Sequence, residues 1–244
     1  MILTIAINKG GTGKSTTAAV LAQAAEYRNK SVLVIDLEPQ GNCSYALASD
    51  LRSGGSYELI SGADPEQVIQ HTAQNIDVIP ASWDLTTLKT ETGSARRLNK
   101  ALIPIKGKYD YIIIDTPPTA GELLYNALQA STDLLIPMNA DIYNIDSLYQ
   151  ITETARQFQQ GSNPHLNILG VLFTLYESRT NLSKQITAEV IRSAEELNID
   201  YLGYIRRGVA VAEAATFQQS LFKYAPKSKP AQDYLNLFEQ IDNQ

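Results

Sequence analysis

Short β-branched runs recur along the chain, at residues 2–7, 31–35, 76–79, 111–114, 134–136, 168–173 and 201–205, with helical segments between them. Several are apolar at consecutive positions, the pattern of parallel strands covered on both faces rather than of strands with one wet side. Between them, Ile186, Val190, Ile191, Ala194 and Leu197 recur at steps of three or four, as do Ile145, Leu148, Ala155 and Phe158, which predicts amphipathic helices with core-facing stripes. The alternation predicts an α/β fold whose mostly parallel central sheet carries helices on both faces. The loop-like stretches 53–56 and 161–164 flank no change of composition, and no internal repeat occurs, so residues 1–244 read as a single domain.

Composition narrows the class. With 244 residues, 44% hydrophobic and 19% charged, the chain can bury a sizeable core and is neither disordered nor fibrous. Lys and Arg number 20 against 26 Asp and Glu, a formal charge of −6, so any surface attractive to nucleic acid must be local. Cys43 is the only cysteine and His71 and His165 the only histidines, which excludes a disulfide framework or a Cys/His zinc site within one chain and fits a cytoplasmic setting. The run 2–7 lacks a basic leader, and no stretch of about 18 apolar residues occurs, so no membrane association is expected.

The first run is followed by Asn8-Lys9-Gly10-Gly11-Thr12-Gly13-Lys14-Ser15-Thr16 and then by the helix-like stretch 17–28. At a strand-to-helix junction glycines can turn successive N–H groups inward, and the helix N-terminus adds positive potential, so the loop is an anion cradle suited to a polyphosphate. Lys14 would reach the β- and γ-phosphates, and the Ser15 hydroxyl would be a ligand of a bridging Mg²⁺. Asn8 stands where the general pattern G-x-x-x-x-G-K-[ST] has its first glycine, and an extra lysine, Lys9, follows it.

The form K-G-G-x-G-K-[ST] resembles the deviant phosphate loop of the ParA/MinD family of ATPases. The resemblance implies a P-loop fold, ATP and Mg²⁺ as cofactors, nucleotide contacts from Lys9 through Thr16, and a homodimer closed over ATP in which Lys9 crosses to the partner's phosphates. Two further charges facing a triphosphate in a dry interface would also favour ATP over ADP. The next segment, Asp36-Leu37-Glu38-Pro39-Gln40-Gly41-Asn42, is similar to the family's D-x-D-P-Q-G-N, which adds Asp36 to the nucleotide site and gives Glu38 the placing of the attacking water. Glu38 replaces an aspartate, and its extra methylene shifts the carboxylate by about 1 Å, enough to cost up to about 100-fold in a geometry-sensitive step. The strand-like run 111–114 ends in Asp115, where ligands of parallel α/β sheets bind, so Asp115 is assigned to Mg²⁺ through a coordinated water. The plain alternatives are a loop acid for Glu38 and a helix cap for Asp115.

The resemblance continues through residues 170–182 and 205–214, covers nearly the whole chain, and favours the ParA/Soj partition branch. It implies non-specific DNA binding, with Arg179 among the contacts, an adenine contact near Arg207, and release by hydrolysis that a ParB-like or other adaptor stimulates. The family's proline is Arg206 here, its asparagine Gly208, and one DNA-binding arginine Ala210. Residues 206–229 nevertheless hold Arg206, Arg207, Lys223, Lys227 and Lys229 against the single acid Glu213, a local charge of +4 suited to phosphate contact or, more plainly, to a solvated face. The segment 233–244 places Tyr234, Leu235, Phe238 and Ile241 on one face but has no lysine or arginine, so it reads as a packed helix rather than a membrane anchor. Two other functions stay open: an ATP-gated scaffold for a cargo other than DNA, and a metabolic kinase or ligase, for which no acceptor-binding residues stand out. The lone cysteine excludes a shared iron–sulfur cluster, and scattered tyrosines argue against a tyrosine-kinase relative.

Overall fold

In the computed structural model, which describes residues 1–88, 93–141, 144–177 and 181–243, the predicted runs form one sheet. The strands are β1 (Ile2–Ile5), β2 (Val32–Asp36), β3 (Gln70–His71), β4 (Asp77–Ile79), β5 (Tyr111–Asp115), β6 (Asp133–Met138), β7 (Asn167–Tyr176) and β8 (Tyr201–Arg206). Their order is β3-β4-β2-β5-β1-β6-β7-β8, parallel throughout except for the β3–β4 pair. The two-residue β3 carries no apolar run and gave no signal. The first run is strand only to Ile5, although Ala6 and Ile7 stay buried as the chain turns into the phosphate loop.

The consecutive apolar residues feed two cores by the twofold alternation of a strand. Val32 and Val34, Tyr111 and Ile113, and Leu3 and Ile5 face one side of the sheet. Leu33 and Ile35, Ile112 and Ile114, and Ile2 face the other. The first side is covered by α1 (Lys14–Tyr27), with α2 (Asn42–Ala46) beside it; the other by α3 (Ser56–Ile60), α4 (Pro65–Val68), α5 (Arg97–Leu102) and α6 (Glu122–Ala130). Beyond β1, α6 continues with α7 (Asn144–Gln160) and α8 (Asn181–Glu196), whose predicted stripes bury Leu148, Ala155, Ile186, Val190, Ala194 and Leu197. On the α1 side, α9 (Val209–Thr216), α10 (Leu221–Tyr224) and α11 (Lys229–Asp242) complete the layer. Every residue of α1 from Thr17 to Ala25 is buried, and its run of alanines lets the sheet, α2, α10 and α11 close around it.

Helix α11 begins before position 233, because Ser228 accepts a hydrogen bond from the Ala231 N–H and Pro230 fits the first turn. It buries Tyr234, Leu237, Phe238 and Ile241, while Leu235 is half-buried. Its acids are used locally: Glu239 pairs with Arg28, and Asp242 pairs with Lys30 at 2.8 Å and accepts from the Tyr111 hydroxyl at 2.6 Å. No helix among the described residues is long and apolar enough to cross a membrane.

Candidate nucleotide-binding site

The loop between β1 and α1 leaves the sheet at its carboxyl edge, with β5 and β6 on either side of β1. Gly13 caps α1 with φ +83°, a left-handed conformation that a side chain would strain, and no side chain caps the helix. The N–H groups of Gly13, Lys14, Ser15 and Thr16 therefore have no acceptor within the helix. The loop's carbonyls are tied elsewhere. The Thr174 hydroxyl sits between the carbonyl oxygens of Thr12 (2.7 Å) and Met138 (2.9 Å), Asn139 Nδ2 donates to the Gly11 carbonyl at 3.0 Å, and Lys14 Nζ donates to the Lys9 carbonyl at 2.6 Å. With two carbonyls pinned from outside and the Lys9 carbonyl held by Lys14, the loop presents donors to the cavity it borders, the arrangement an anion requires.

That cavity has a volume of about 470 Å³. One wall is Gly10, Gly11, Gly13, Lys14, Ser15 and Thr16; a second is Glu38, Gln40, Asn42 and Pro118; the third is Thr174, Leu175, Ile205, Arg206, Gly208, Val211 and Tyr234. The phosphate loop and Glu38 are thus brought together as expected from the sequence. Lys9, Thr12, Asp36, Asp115 and Arg207 lie outside the lining.

Asp36 and Asp115 are paired in register at the ends of β2 and β5, and both are fully buried. Asp36 is saturated by its own loop, accepting from the Glu38 N–H at 3.0 Å and from the Ser44 N–H and hydroxyl at 2.8 and 2.6 Å. Burial still pushes its carboxyl up to about 6. Neither oxygen of Asp115 accepts a hydrogen bond from a described residue. Burial and the Asp36 charge push Asp115 well above the usual carboxylate range, against the opposing pull of the Ser15 hydroxyl and the Lys14 charge. Burial pushes the Lys14 ammonium down, and Asp115 and Glu38 pull it back up. A buried carboxylate without a partner and a buried ammonium turned onto a carbonyl are costly as they stand. A Mg²⁺ near Ser15 and Asp115 and a phosphate on Lys14 satisfy both, so the residues present fit these groups.

The remaining predicted residues lie around this core. Lys9 is half-exposed, 3.6 Å from Asp141. Arg207 is exposed and donates to Glu177 at 2.7 Å. Arg206 is held by Asp233 through three hydrogen bonds, so the charge summed along 206–229 does not fold into one free strip; its partner comes from outside the stretch. Lys223, Lys227 and Lys229 are exposed on α10, the following loop and the start of α11, and form no ion pair with a described residue. Arg179 lies outside the described residues.

Sequence reasoning did not assign Thr174, Asn139 or Tyr234 to the site. Thr174 lies within residues 170–182, where the family resemblance was the available signal. Asn139 and Tyr234 act across 128 and 217 residues respectively, on Gly11 and on the Thr17 hydroxyl, and no local pattern marks them.

A parallel sheet with a glycine-rich anion loop at its carboxyl edge and paired carboxylates beside it defines a P-loop nucleotide-binding protein. The family model for an AAA domain matches residues 1–168. The sporulation initiation inhibitor protein Soj of Bacillus subtilis is 36% identical over 98% of this chain and 97% of its own length. The chromosome partitioning protein ParA of Myxococcus xanthus is 35% identical over 98% and 87%. The crystal structure of a cobyrinic acid a,c-diamide synthase from Mycobacterium smegmatis with bound ATP analog and magnesium superposes with a TM-score of 0.86, at 30% identity over 99% of this chain and 94% of that one. The chain belongs to the ParA/MinD family of P-loop ATPases, in its partition branch.

Proposed function

We propose that this protein is an ATP-dependent partition or positioning ATPase with ATP and Mg²⁺ as its cofactors. The observation that carries the reading is the phosphate loop, with its carbonyls pinned by Thr174, Asn139 and Lys14 beside the unpartnered Asp115. The near full-length similarity to Soj and ParA supports extending it from nucleotide binding to positioning.

In this reading the free N–H groups of residues 13–16 and the Lys14 ammonium bind the triphosphate. Ser15 and Asp115 would hold Mg²⁺, which neutralises charge on the β- and γ-phosphates when bound. Glu38, on the wall facing Lys14, orients the attacking water. Lys9 crosses to the partner's phosphates when two chains close over ATP, leaving Asp141. The closed dimer binds DNA without sequence preference through Lys223, Lys227, Lys229 and Arg179, with Arg206 contributing only to the extent that Asp233 releases it. Arg207 lies beside the base. Hydrolysis is slow until a ParB-like or other adaptor stimulates it, and the protein works in the cytoplasm on the nucleoid.

A scaffold for a cargo other than DNA is the second reading, favoured by the pairing of both Arg206 and Arg207 and by Ala210 at the position of a family arginine. The synthase likeness raises a ligase, whose ATP turnover would depend on an acid substrate. Mass measurement in ADP and in ATP tests the switch common to the first two: the wild type should be monomeric in ADP and dimeric in ATP, and Lys9→Ala should bind ATP yet stay monomeric. Dimers of Lys9→Ala at wild-type levels would remove the role of Lys9.

A further inference from the structure

Two neighbouring residues of α11 hold two segments that contribute to the cavity, the end of β8 and the start of α1. Asp233, its side chain 9% exposed, accepts from the Arg206 backbone N–H at 2.9 Å, from Nε at 2.8 Å and from an Nη at 2.5 Å. Tyr234 shares a buried hydrogen bond of 3.2 Å with the Thr17 hydroxyl, in the first turn of α1 beyond Lys14. The loop after β8 is also pressed onto α11 at Gly208, where a Cβ would sit 2.9 Å from Pro230 Cγ. One helix therefore fixes the distance between the phosphate loop and the wall made by residues 205–211.

In the nucleotide reading above, the nucleoside would face that wall. Glu38 and Lys14, with Asp115 beneath them, mark the end of the cavity where a terminal phosphate and its metal sit. Ile205, Gly208, Val211 and Tyr234, with the Arg206 charge matched by Asp233, supply the more apolar surface that a ribose and base require. Arg206 lies within this wall, and Asp233 holds both its backbone N–H and its guanidinium.

We propose that Asp233, acting through Arg206, is a positioning residue that holds the 205–211 wall against the nucleoside and so sets the preference for a nucleoside triphosphate over a bare polyphosphate. The proposal rests on the nucleotide reading above. A rigid wall needs less ordering on binding, so the nucleoside contributes more of its interaction energy to affinity. A loose wall would leave the phosphate contacts unchanged.

The test titrates Mg²⁺-ATP and Mg²⁺-tripolyphosphate into the full chain and into Asp233→Ala, Asp233→Asn, Arg206→Ala and the double alanine variant, with thermal midpoints alongside. The wild type should bind ATP more tightly than tripolyphosphate. Asp233→Ala and Arg206→Ala should each weaken ATP by about tenfold and leave tripolyphosphate within about twofold, with the double variant no weaker than either. The near-isosteric Asp233→Asn should fall between. The two alanine variants change net charge in opposite directions, so a general charge effect would move anion affinity in opposite senses, and a shared loss confined to ATP identifies the clasp. Unchanged ATP affinity, opposite shifts, or parallel loss of both ligands would overturn the proposal. Equal wild-type affinity for both ligands would overturn it too while leaving the phosphate loop standing, whereas binding of neither would remove the nucleotide reading as well.

Discussion

The phosphate loop and the basic stretch at 206–229 both gather charge-bearing groups, yet the fold treats them differently. In the loop the groups act together because most are carried by the backbone: consecutive N–H groups at one helix end, joined by the single Lys14 ammonium, with Thr174 and Asn139 pinning carbonyls from a distance. In the basic stretch the charges sit on side chains, and each meets whatever the fold sets beside it. Asp233 takes Arg206 and Glu177 takes Arg207, while Lys223, Lys227 and Lys229 remain exposed. A site built from backbone donors survives folding intact, whereas a sum of charges along the sequence is redistributed by it.

Replacing Lys14 breaks the first region most completely. Lys14→Ala should lower ATP affinity by about 100-fold or more, since it deletes a charge-assisted hydrogen bond in a buried setting; calorimetric titration reads this, and unchanged affinity and turnover would remove the assignment of the loop. Glu38→Ala should cut turnover by about 100-fold while ATP stays bound and the dimer persists, and Glu38→Asp should keep or raise turnover. If both hydrolyse ATP like the wild type, Glu38 is only a loop acid.

The carboxylates behind the loop give a pH signature. Burial raises Asp36 in the folded state to about 6 from its ordinary value of 3.8, so the folded chain holds that proton over a range where the unfolded chain has lost it. Stability without Mg²⁺ should therefore fall as pH rises through that window, as read by the melting temperature across it. Asp115→Asn, which removes the unpartnered charge, should raise the Mg²⁺-free melting temperature at pH 7 by about 5 °C and flatten this decline. An unchanged melting temperature would mean that Asp115 carries no uncompensated charge.

The smallest effects belong to the second region. Alanine at Lys223, Lys227 or Lys229 should weaken DNA binding by roughly threefold each and lower the salt slope by about 1 for each phosphate no longer neutralised, without changing ATP affinity. Binding indifferent to all three would place the DNA surface elsewhere.

Much of this was legible in the sequence because it is local. The consecutive apolar runs of β2 and β5 announce a doubly covered parallel sheet, and residues 8–16 announce the anion loop. What was hidden depends on chain separation: the Asn139 and Thr174 anchors, the Tyr234–Thr17 bond, and the Asp233 clasp that turns Arg206 from a surface charge into a wall. The turn of Asp36 onto Ser44 was equally unreadable, since a carboxylate after a strand looks the same whether it faces a ligand or caps its own loop.

The most direct test of the account is binding to random-sequence duplex DNA in ADP and in Mg²⁺-ATP, each at two salt concentrations, with the mass of the protein recorded alongside. The account predicts binding only in ATP, by a dimer, weakening steeply with salt. An ATP-dependent dimer that ignores DNA at both salt concentrations would contradict it and leave the scaffold reading in its place.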